Sequence, residues 1–476
     1  MQTIRKEAKF YDYESQFLSI SLAKGYKNLT QHNPCITHKF NADPCAMEYN
    51  GTVYVYCTND GNTAAPNVNA NTYGDIVSIN CISSKDMVNW TDHGSIKAAG
   101  SDGAAKWADN SWAPTACHKK INGVEKFFLY FANNGNGIGV LTSDSPTGPW
   151  IDPIGKPLIS RATPNCANVT WLFDPAVLVD DDGTGYLYFG GGVPEGRDAD
   201  PKTGRVVKLS ENMTSIVGTP TTLDIPYLFE DSGINKLDNI YYYSYCTNFS
   251  KRPNDKVPGT GKIAYMTSRN PMGPFTYQGT CLDNPGTLFG TSGNNHHSMI
   301  TLNNKSYIFY HAEWLNKEMY GEQRGYRTTH VNEVVINQEN ISDAKGDLKG
   351  ISQISNLNPY TLNSMSTMAW QGGIKVTGEG DTQVEMSAGS WLGVSNAEFT
   401  GTSSILIKAA SENGAVIKVC TDSPDGEALG YINIPATGSS PILKDITADV
   451  SNIACIKNLF FVSSADCIAY SWQFSK

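Results

Sequence analysis

Three acidic positions in this 476-residue chain stand at matching places of a repeated pattern: Asp43 before Pro44, Asp174 before Pro175, and Glu230 or its neighbour Asp231. Brought to one pocket, three carboxyl groups suit acid–base cleavage of a glycosidic bond. One carboxylic acid protonates the leaving oxygen, and one carboxylate activates a water on the opposite face. A third acidic group nearby raises the pKa of the acid and keeps it protonated near neutral pH. An isolated Asp-Pro is usually a turn or strand-entry device. Two at equivalent positions, with a glutamate in a third copy, favour chemistry, because converging carboxylates repel and resist desolvation. Glu230 is preferred to Asp231 as the third member.

The elements that must position these groups are imperfect repeats. Each copy runs from a small or acidic pair through an alternating apolar stretch and a turn into a tyrosine-rich strand. The copies are ADPCAMEYNGTVYVYCT from Ala42, WAPTACHKKINGVEKFFLYFA from Trp112, FDPAVLVDDDGTGYLYFGG from Phe173, FEDSGINKLDNIYYYSYC from Phe229 and NHHSMITLNNKSYIFYH from Asn295. Their turns, Asn50-Gly51, Asn122-Gly123, Asp182-Gly183, Asp238-Asn239 and Asn303-Asn304, suit type I′ hairpins, which need φ > 0 at both central residues. Further strand pairs follow at 86–94, 145–153 and 270–279. Four strands per unit in five units predict an all-β fold, a five-bladed β-propeller over residues 1–350. The innermost strands line the axis, so Asp43, Ala113, Asp174, Glu230 or Asp231, and His296 converge there.

From Asp343 to Asn358 the sequence turns polar, and short strands follow, among them SSILIKAAS, AVIKVCTDS and NLFFVSS. They predict a β-sandwich (jelly roll) over residues 355–476.

Composition narrows the partners. Lys and Arg number 36 against 46 Asp and Glu, a net charge of −10, which argues against nucleic acid. No apolar run approaches the ~18 residues of a membrane span. With 24 Tyr and 9 Trp the chain is too aromatic for disorder, and the tyrosine is concentrated in the second strand of each repeat. The opening MQTIRKEAKFYDYESQ has no apolar stretch behind its positive charges, so no export signal is expected. Eleven cysteines without CxxC pairs read as reduced thiols of a cytoplasmic protein, in which the sequons at Asn28 and Asn168 carry no glycan.

Other features have bland readings. Asp180-Asp181-Asp182-Gly183 lacks the spaced ligands of an EF-hand and reads as a solvated turn. Gly259 to Lys262 lacks P-loop spacing, and Gly190 to Gly192 lacks GxGxxG order. Trp90 and Trp150 read as blade packing.

The ordered motifs NADPCAMEYNGTVYVYCTND, FDPAVLVDDDGTGYLYFGG, FEDSGINKLDNIYYYSYC and NNHHSMITLNNKSYIFYH resemble the blades of family 43 glycoside hydrolases over roughly residues 30–340. The resemblance implies an inverting enzyme with Asp43 as general base, Asp174 as pKa modulator and Glu230 as general acid. It implies that His296 sits deep in the channel, where relatives hold a hydrated calcium, and that Arg327 contacts the carboxylates or the sugar. It also implies Trp112 as a pocket wall and Asn295 as a sugar contact. Each has a plainer alternative: Arg327 as a blade-to-blade salt bridge, Trp112 as core, and one of His296 and His297 as a packed histidine, since adjacent strand residues face opposite sides. The C-terminal part resembles a family 6 carbohydrate-binding module, but Gly393, the Ser-Ser-Pro after Gly438 and Ser471 depart from its aromatic–Asn clamp, so a structural role competes with sugar binding.

The layout resembles the arabinoxylan arabinofuranohydrolase branch, which implies an exo-acting α-L-arabinofuranosidase on arabinoxylan-derived oligosaccharides. The same catalytic set serves β-D-xylosidases. A sialidase-like propeller would need a tyrosine nucleophile and an arginine cluster, which the repeats do not offer. A propeller lectin is the non-enzyme alternative.

Overall fold

Asn-Gly-type turns between alternating strands set the hairpins. In the computed structural model, which describes residues 13–61, 70–439 and 442–476, four of the five turns have both central residues at positive φ. These are Asn50 and Gly51 (51° and 75°), Asn122 and Gly123 (52° and 81°), Asp238 and Asn239 (49° and 61°), and Asn303 and Asn304 (51° and 61°). The third differs. Its strands end at Val179 and resume at Gly185, so the connection is a longer loop in which Gly183 N–H donates to Asp180 O at 2.8 Å. Lys236 bridges the carboxylates of Asp180 and Asp181 there, so this acidic run is a surface turn. Residues 1–12, part of the stretch in which an export signal was sought, and Ser440-Pro441 lie outside the described residues.

Four repeats form four-stranded antiparallel blades and the chain is a five-bladed β-propeller followed by a β-sandwich. Blade I comprises Asn41–Tyr49, Thr52–Asn59, Ser78–Ser84 and Trp90–Lys97, and blade II Trp112–Ile121, Val124–Ala132, Gly137–Ser143 and Ile159–Ser160. Blade III comprises Ala176–Val179, Gly185–Phe189, Arg205–Leu209 and Ile216–Thr222. Blade IV comprises Leu228–Leu237, Ile240–Thr247, Ile263–Ser268 and Thr276–Leu282. The expected fourth strand of blade V does not form among the described residues: His297–Leu302, Lys305–Ala312 and Thr328–Val334 make a three-stranded sheet. Beyond Val334 the chain turns at Gln338 (φ 53°) into a two-residue ribbon, Ile336–Asn337 with Asn340–Ile341.

The tyrosines of the second strands clasp one blade to the next. Tyr56 of blade I donates its hydroxyl to Pro146 O at 2.6 Å, and Tyr130 of blade II to Met213 O at 2.8 Å. Tyr188 of blade III donates to Pro271 O at 2.6 Å, and Tyr242 of blade IV to Gln338 O. Each ring fills apolar space while its hydroxyl satisfies a carbonyl of the following repeat. The tyrosine excess is thus architectural, and Trp90 and Trp150 are buried packing residues.

By internal contacts, residues 39–81 with 95–350 form one unit, and residues 1–38, 82–94 and 351–476 form the other. The third and fourth strands of blade I thus run partly within the second unit. Within the second unit, the Trp370 indole donates to Gln31 O, Asn89 bonds both ways with Ser395, and Gly94 pairs with Glu379. Its sandwich packs the sheet of Trp370–Gly372, Trp391–Glu398, Ile456–Ser463, Ala415–Thr421 and Ala428–Ile434 around a core that includes Leu392, Ile407, Ile432, Phe461 and Trp472.

Tyr188→Phe removes one clasp and leaves the Pro271 carbonyl without its donor. It is expected to cost about 1–3 kcal/mol, read as a lower urea midpoint at unchanged far-UV circular dichroism.

Candidate active site

The site starts from backbone. Asp43, Ala113, Asp174 and Asp231 all sit in the left-handed region, at φ 47°, 42°, 47° and 70°. In blades I, II and IV the strand register shifts across this residue: between Ala42 and Cys45, Trp112 and Thr115, and Glu230 and Gly233. Such a bulge inserts one residue and re-aims its neighbours, and Asp tolerates the conformation better than most side chains. The register places the fourth copy. Asp231 holds the left-handed position, and Glu230 precedes it, where blades II and III carry Trp112 and Phe173.

A small cavity of about 120 Å³ lies over these bulges, lined by Asp43, Trp112, Asp174, Glu230, His296 and Arg327, with Tyr73, Ile76, Ala113, Phe173 and Asn294 completing its wall. The structure therefore brings Asp43, Asp174 and Glu230 together, all of them buried. A larger channel of about 530 Å³ follows the inner strands, and His296 borders both spaces.

The three carboxyl groups have different surroundings. Asp43 Oδ1 receives Arg327 Nη1 at 2.9 Å and Oδ2 receives the Thr58 hydroxyl at 2.7 Å. Burial alone would raise its pKa, but the Arg327 guanidinium, then His296 and His311, hold it well below the usual carboxylate range. Glu230 has no such partner: burial first, then the charge of Asp43, push it up to about 8, against an opposing hydrogen bond from Asn294. Its Oε1 is buried without a hydrogen bond. Asp174 is also raised, by burial and then by Glu230 and Asp43, while its Oδ2 accepts the Asp231 N–H at 2.9 Å. That donor opposes the rise at Asp174 as the Asn294 hydrogen bond does at Glu230, while the free Oε1 of Glu230 is placed to donate a proton. The pocket holds an ionised aspartate opposite a protonated glutamic acid.

Arg327 is itself fixed. Its Nε and Nη2 form a fork on Asp60 at 2.8 Å each, and its backbone N–H donates to Asp60 Oδ2 at 2.9 Å. Arg327 is both a link between blades V and I and a pocket residue. The ring of Tyr73 lies 5.1 Å from its guanidinium carbon and edge-on to Trp112, and the Trp112 indole donates to Tyr73 O at 3.0 Å.

Asn295 does not face the pocket. It is fully buried and its amide donates to Gly261 O and Asp283 O, whereas Asn294 lines the cavity. One residue of register on an irregular strand entry separates the two. His296 Nε2 lies 3.1 Å from Asp231 Oδ1, and its Nδ1 lies 3.4 Å from Asp43 Oδ1 and 3.9 Å from Asp174 Oδ2. His297 is the packed histidine. Both ring nitrogens of His296 face carboxylates, and no three His, Cys, Asp or Glu side chains converge as a metal cage among the described residues; the hydrated calcium that the resemblance implies there would draw most of its six to eight oxygens from water. In the C-terminal module, a Cβ on Gly393 would meet the Phe460 ring at 2.3 Å, so no aromatic fits there, and Ser471 is buried.

Sequence reading missed Asp60, Tyr73, Thr58 and His311. Thr58 and His311 end second strands, where the alternation offers a weak signal; Asp60 and Tyr73 lie in connections with none. Arg327→Leu is expected to raise the Asp43 pKa by about 1–3 pH units, followed by carbon-13 carboxyl titration. An unchanged value would assign the effect to the histidines.

Residues 31–341 match glycosyl hydrolases family 43, and residues 366–476 match carbohydrate binding module (family 6). The chain is 48% identical to an arabinoxylan arabinofuranohydrolase of Bacillus subtilis (strain 168) over 462 residues, 92% of this chain and 90% of that protein. It is 46% identical to one of Paenibacillus polymyxa over 453 residues, 90% of this chain and 71% of that protein. A crystal structure of a family 43 arabinoxylan arabinofuranohydrolase from Bacillus subtilis, in complex with cellotetraose, matches with a TM-score of 0.91 at 45% identity over 96% of this chain and 99% of that one. With three carboxyl groups in one propeller pocket and these matches along its length, the chain belongs to the glycosyl hydrolases of family 43.

Proposed function

We propose that this hydrolase is an inverting, exo-acting α-L-arabinofuranosidase that removes arabinose side groups from arabinoxylan-derived oligosaccharides. The carrying observation is the pairing, in one cavity, of an Asp43 held ionised by Arg327 with a Glu230 held protonated by burial and by Asp43. Glu230 gives its proton to the glycosidic oxygen as the bond to the anomeric carbon breaks. Asp43 takes a proton from the water that attacks the same carbon from the opposite face, which inverts the anomer. Asp174, raised like Glu230 by burial and by the charge of Asp43, stands beside the acid and shares the setting that keeps a proton there until the leaving oxygen claims it. Arg327 and Thr58 orient Asp43 without protonating it.

Exo action is supported by size: the cavity over the carboxyl groups, about 120 Å³, is small beside the channel of about 530 Å³. The arabinose reading is supported by the two arabinofuranohydrolases matched over most of the chain. The cytoplasmic reading is supported by the eleven cysteines, all free; imported oligosaccharides would then be the substrate.

Paired aryl α-L-arabinofuranoside and β-D-xylopyranoside substrates test the choice. Faster arabinoside turnover is expected, dominance of the xyloside would make the protein a xylosidase, and a protein inert on both but binding sugar would be a lectin. Glu230→Gln is expected to lower kcat by about 10²–10⁴-fold while sugar binding persists. Because the acid must carry its proton, wild-type kcat/KM should be level below pH 8 and fall as pH rises through about 8. That limb should vanish in the residual activity of Glu230→Gln.

A further inference from the structure

Among the four blades with a left-handed residue at the repeat position, blade II alone has no acid there, yet its Ala113 holds the conformation, at φ 42° on a strand bulge. Alanine rarely visits that region, which is left to Gly, Asn and Asp. The backbone there has a partner. The Ala113 N–H donates to the Thr58 hydroxyl oxygen of blade I at 2.8 Å, and that hydroxyl donates to Asp43 Oδ2 at 2.7 Å. Ala113 and Thr58 are both buried. An N–H can only donate, so the Thr58 oxygen accepts on that side, and its single proton is left for Asp43. The junction of blades III and IV repeats the arrangement without a hydroxyl: the left-handed Asp231 donates its N–H directly to Asp174 Oδ2 at 2.9 Å. In both places the left-handed residue of one blade gives its N–H toward the aspartate of the blade before it.

We propose that the Ala113 N–H and the Thr58 hydroxyl form a brace that aims Asp43 Oδ2 at the attacking water, which makes Thr58 a positioning residue for the hydrolytic step. Oδ1 is crowded: Arg327 Nη1 stands 2.9 Å from it, His311 Nδ1 3.2 Å and His296 Nδ1 3.4 Å. Oδ2 takes the Thr58 proton on one lone pair and keeps another for the water. Arg327 grips one oxygen from blade V, and Ala113, through Thr58, grips the other from blade II. The carboxylate cannot turn about its Cβ–Cγ bond without breaking one of these contacts. In the reaction the water gives its proton to Oδ2 as its oxygen bonds the anomeric carbon, and Thr58 keeps its own proton throughout. Neither Thr58 nor Ala113 titrates, so the brace sets direction and leaves charge alone. A base must lie within hydrogen-bond reach of the proton it takes, and misplacement by about 1 Å costs on the order of 10²-fold in rate. The bulge of blade II thus serves the reaction through its backbone.

This role rests on the hydrolase reading, and the test separates the two. Wild type, Thr58→Val, Thr58→Ser and Glu230→Gln are compared on two aryl α-L-arabinofuranosides, one with a poor phenol leaving group and one with a good dinitrophenol. Thr58→Val keeps the shape and removes the hydroxyl. It is expected to lower kcat by about 10–100-fold with KM within about twofold, and to do so equally on both substrates, because water attack is needed for each. Thr58→Ser should recover most of the loss. Glu230→Gln should lose far more on the poor leaving group, which needs an acid, than on the good one. A structural role alone would lower the thermal midpoint and leave kcat of the folded protein unchanged. Wild-type kcat in folded Thr58→Val overturns the proposal, as does a Thr58→Ser as impaired as Thr58→Val. A loss confined to the poor leaving group would place Thr58 on the acid and overturns it too. Where Thr58→Val does not fold, Thr58→Ala takes its place. Proton–nitrogen NMR of alanine-labelled protein reads the brace without turnover: the Ala113 amide proton should move upfield in Thr58→Val and stay in place in Thr58→Ser. An Ala113 amide unmoved in Thr58→Val overturns the proposal whether or not the protein hydrolyses arabinosides; wild type inert on both substrates, with the amide moving as expected, would sink the hydrolase reading alone.

Discussion

The buried ion pair of Arg327 with Asp43 is the contact on which both the closure of the ring and the character of the pocket depend. Arg327 immediately precedes the third strand of blade V, while Asp43 and Asp60 lie at the ends of the first two strands of blade I. The guanidinium is held in a fork by Asp60 and reaches Asp43 with its remaining nitrogen. The Asp43 N–H donates to His311 Nδ1 and the Thr329 hydroxyl to Asn41 O across the same junction. A buried pair of this kind adds little net stability, because desolvation offsets the attraction, yet removing one partner leaves a charge stranded. Its value here is electrostatic: it lets one of three adjacent carboxyl groups stay ionised, and that ion keeps its neighbours from ionising.

Repetition supplies the rest of the geometry. A left-handed residue at the same place in four blades, on a bulge in three of them, recurs as Asp43, Ala113, Asp174 and Asp231. What each does is decided by neighbours. Asp43 faces a cation, Asp174 accepts a backbone N–H, and Asp231 is saturated by two histidines. Glu230 sits one residue earlier and takes the place held by aromatic rings in blades II and III. It gains an apolar setting and a nearby negative charge, the two conditions that raise a carboxyl pKa.

The clasps explain how so many polar side chains coexist with a stable ring. A tyrosine on the second strand of each of blades I to IV covers apolar area and ties its hydroxyl to the next repeat. Neighbouring blades are joined through directional bonds as well as packing, which fixes the angular placement on which a pocket built from several blades relies.

The sequence by itself determined the ring. Five copies of a hairpin pattern, with turn residues that demand positive φ, leave few folds open, and Asp43 and Asp174 were legible because their two copies carry Asp-Pro at the same place. Local chemistry sufficed there, since turn propensity and alternation act over a few residues. Only the tertiary structure decided what depends on a single residue of register or on distant loops. A bulge adds one residue and reverses which side chains face the axis. That is why strand alternation does not rank Glu230 against Asp231; Asn294 lines the pocket in place of Asn295 because both precede the strand, where alternation does not apply. The fifth blade's missing strand and the long third turn likewise follow from what the chain meets beyond each hairpin. Asp60, Tyr73 and His311 act on Asp43 or Arg327 across as many as 268 positions of sequence. A carboxylate's charge is set by what surrounds it in space, and no local pattern records that.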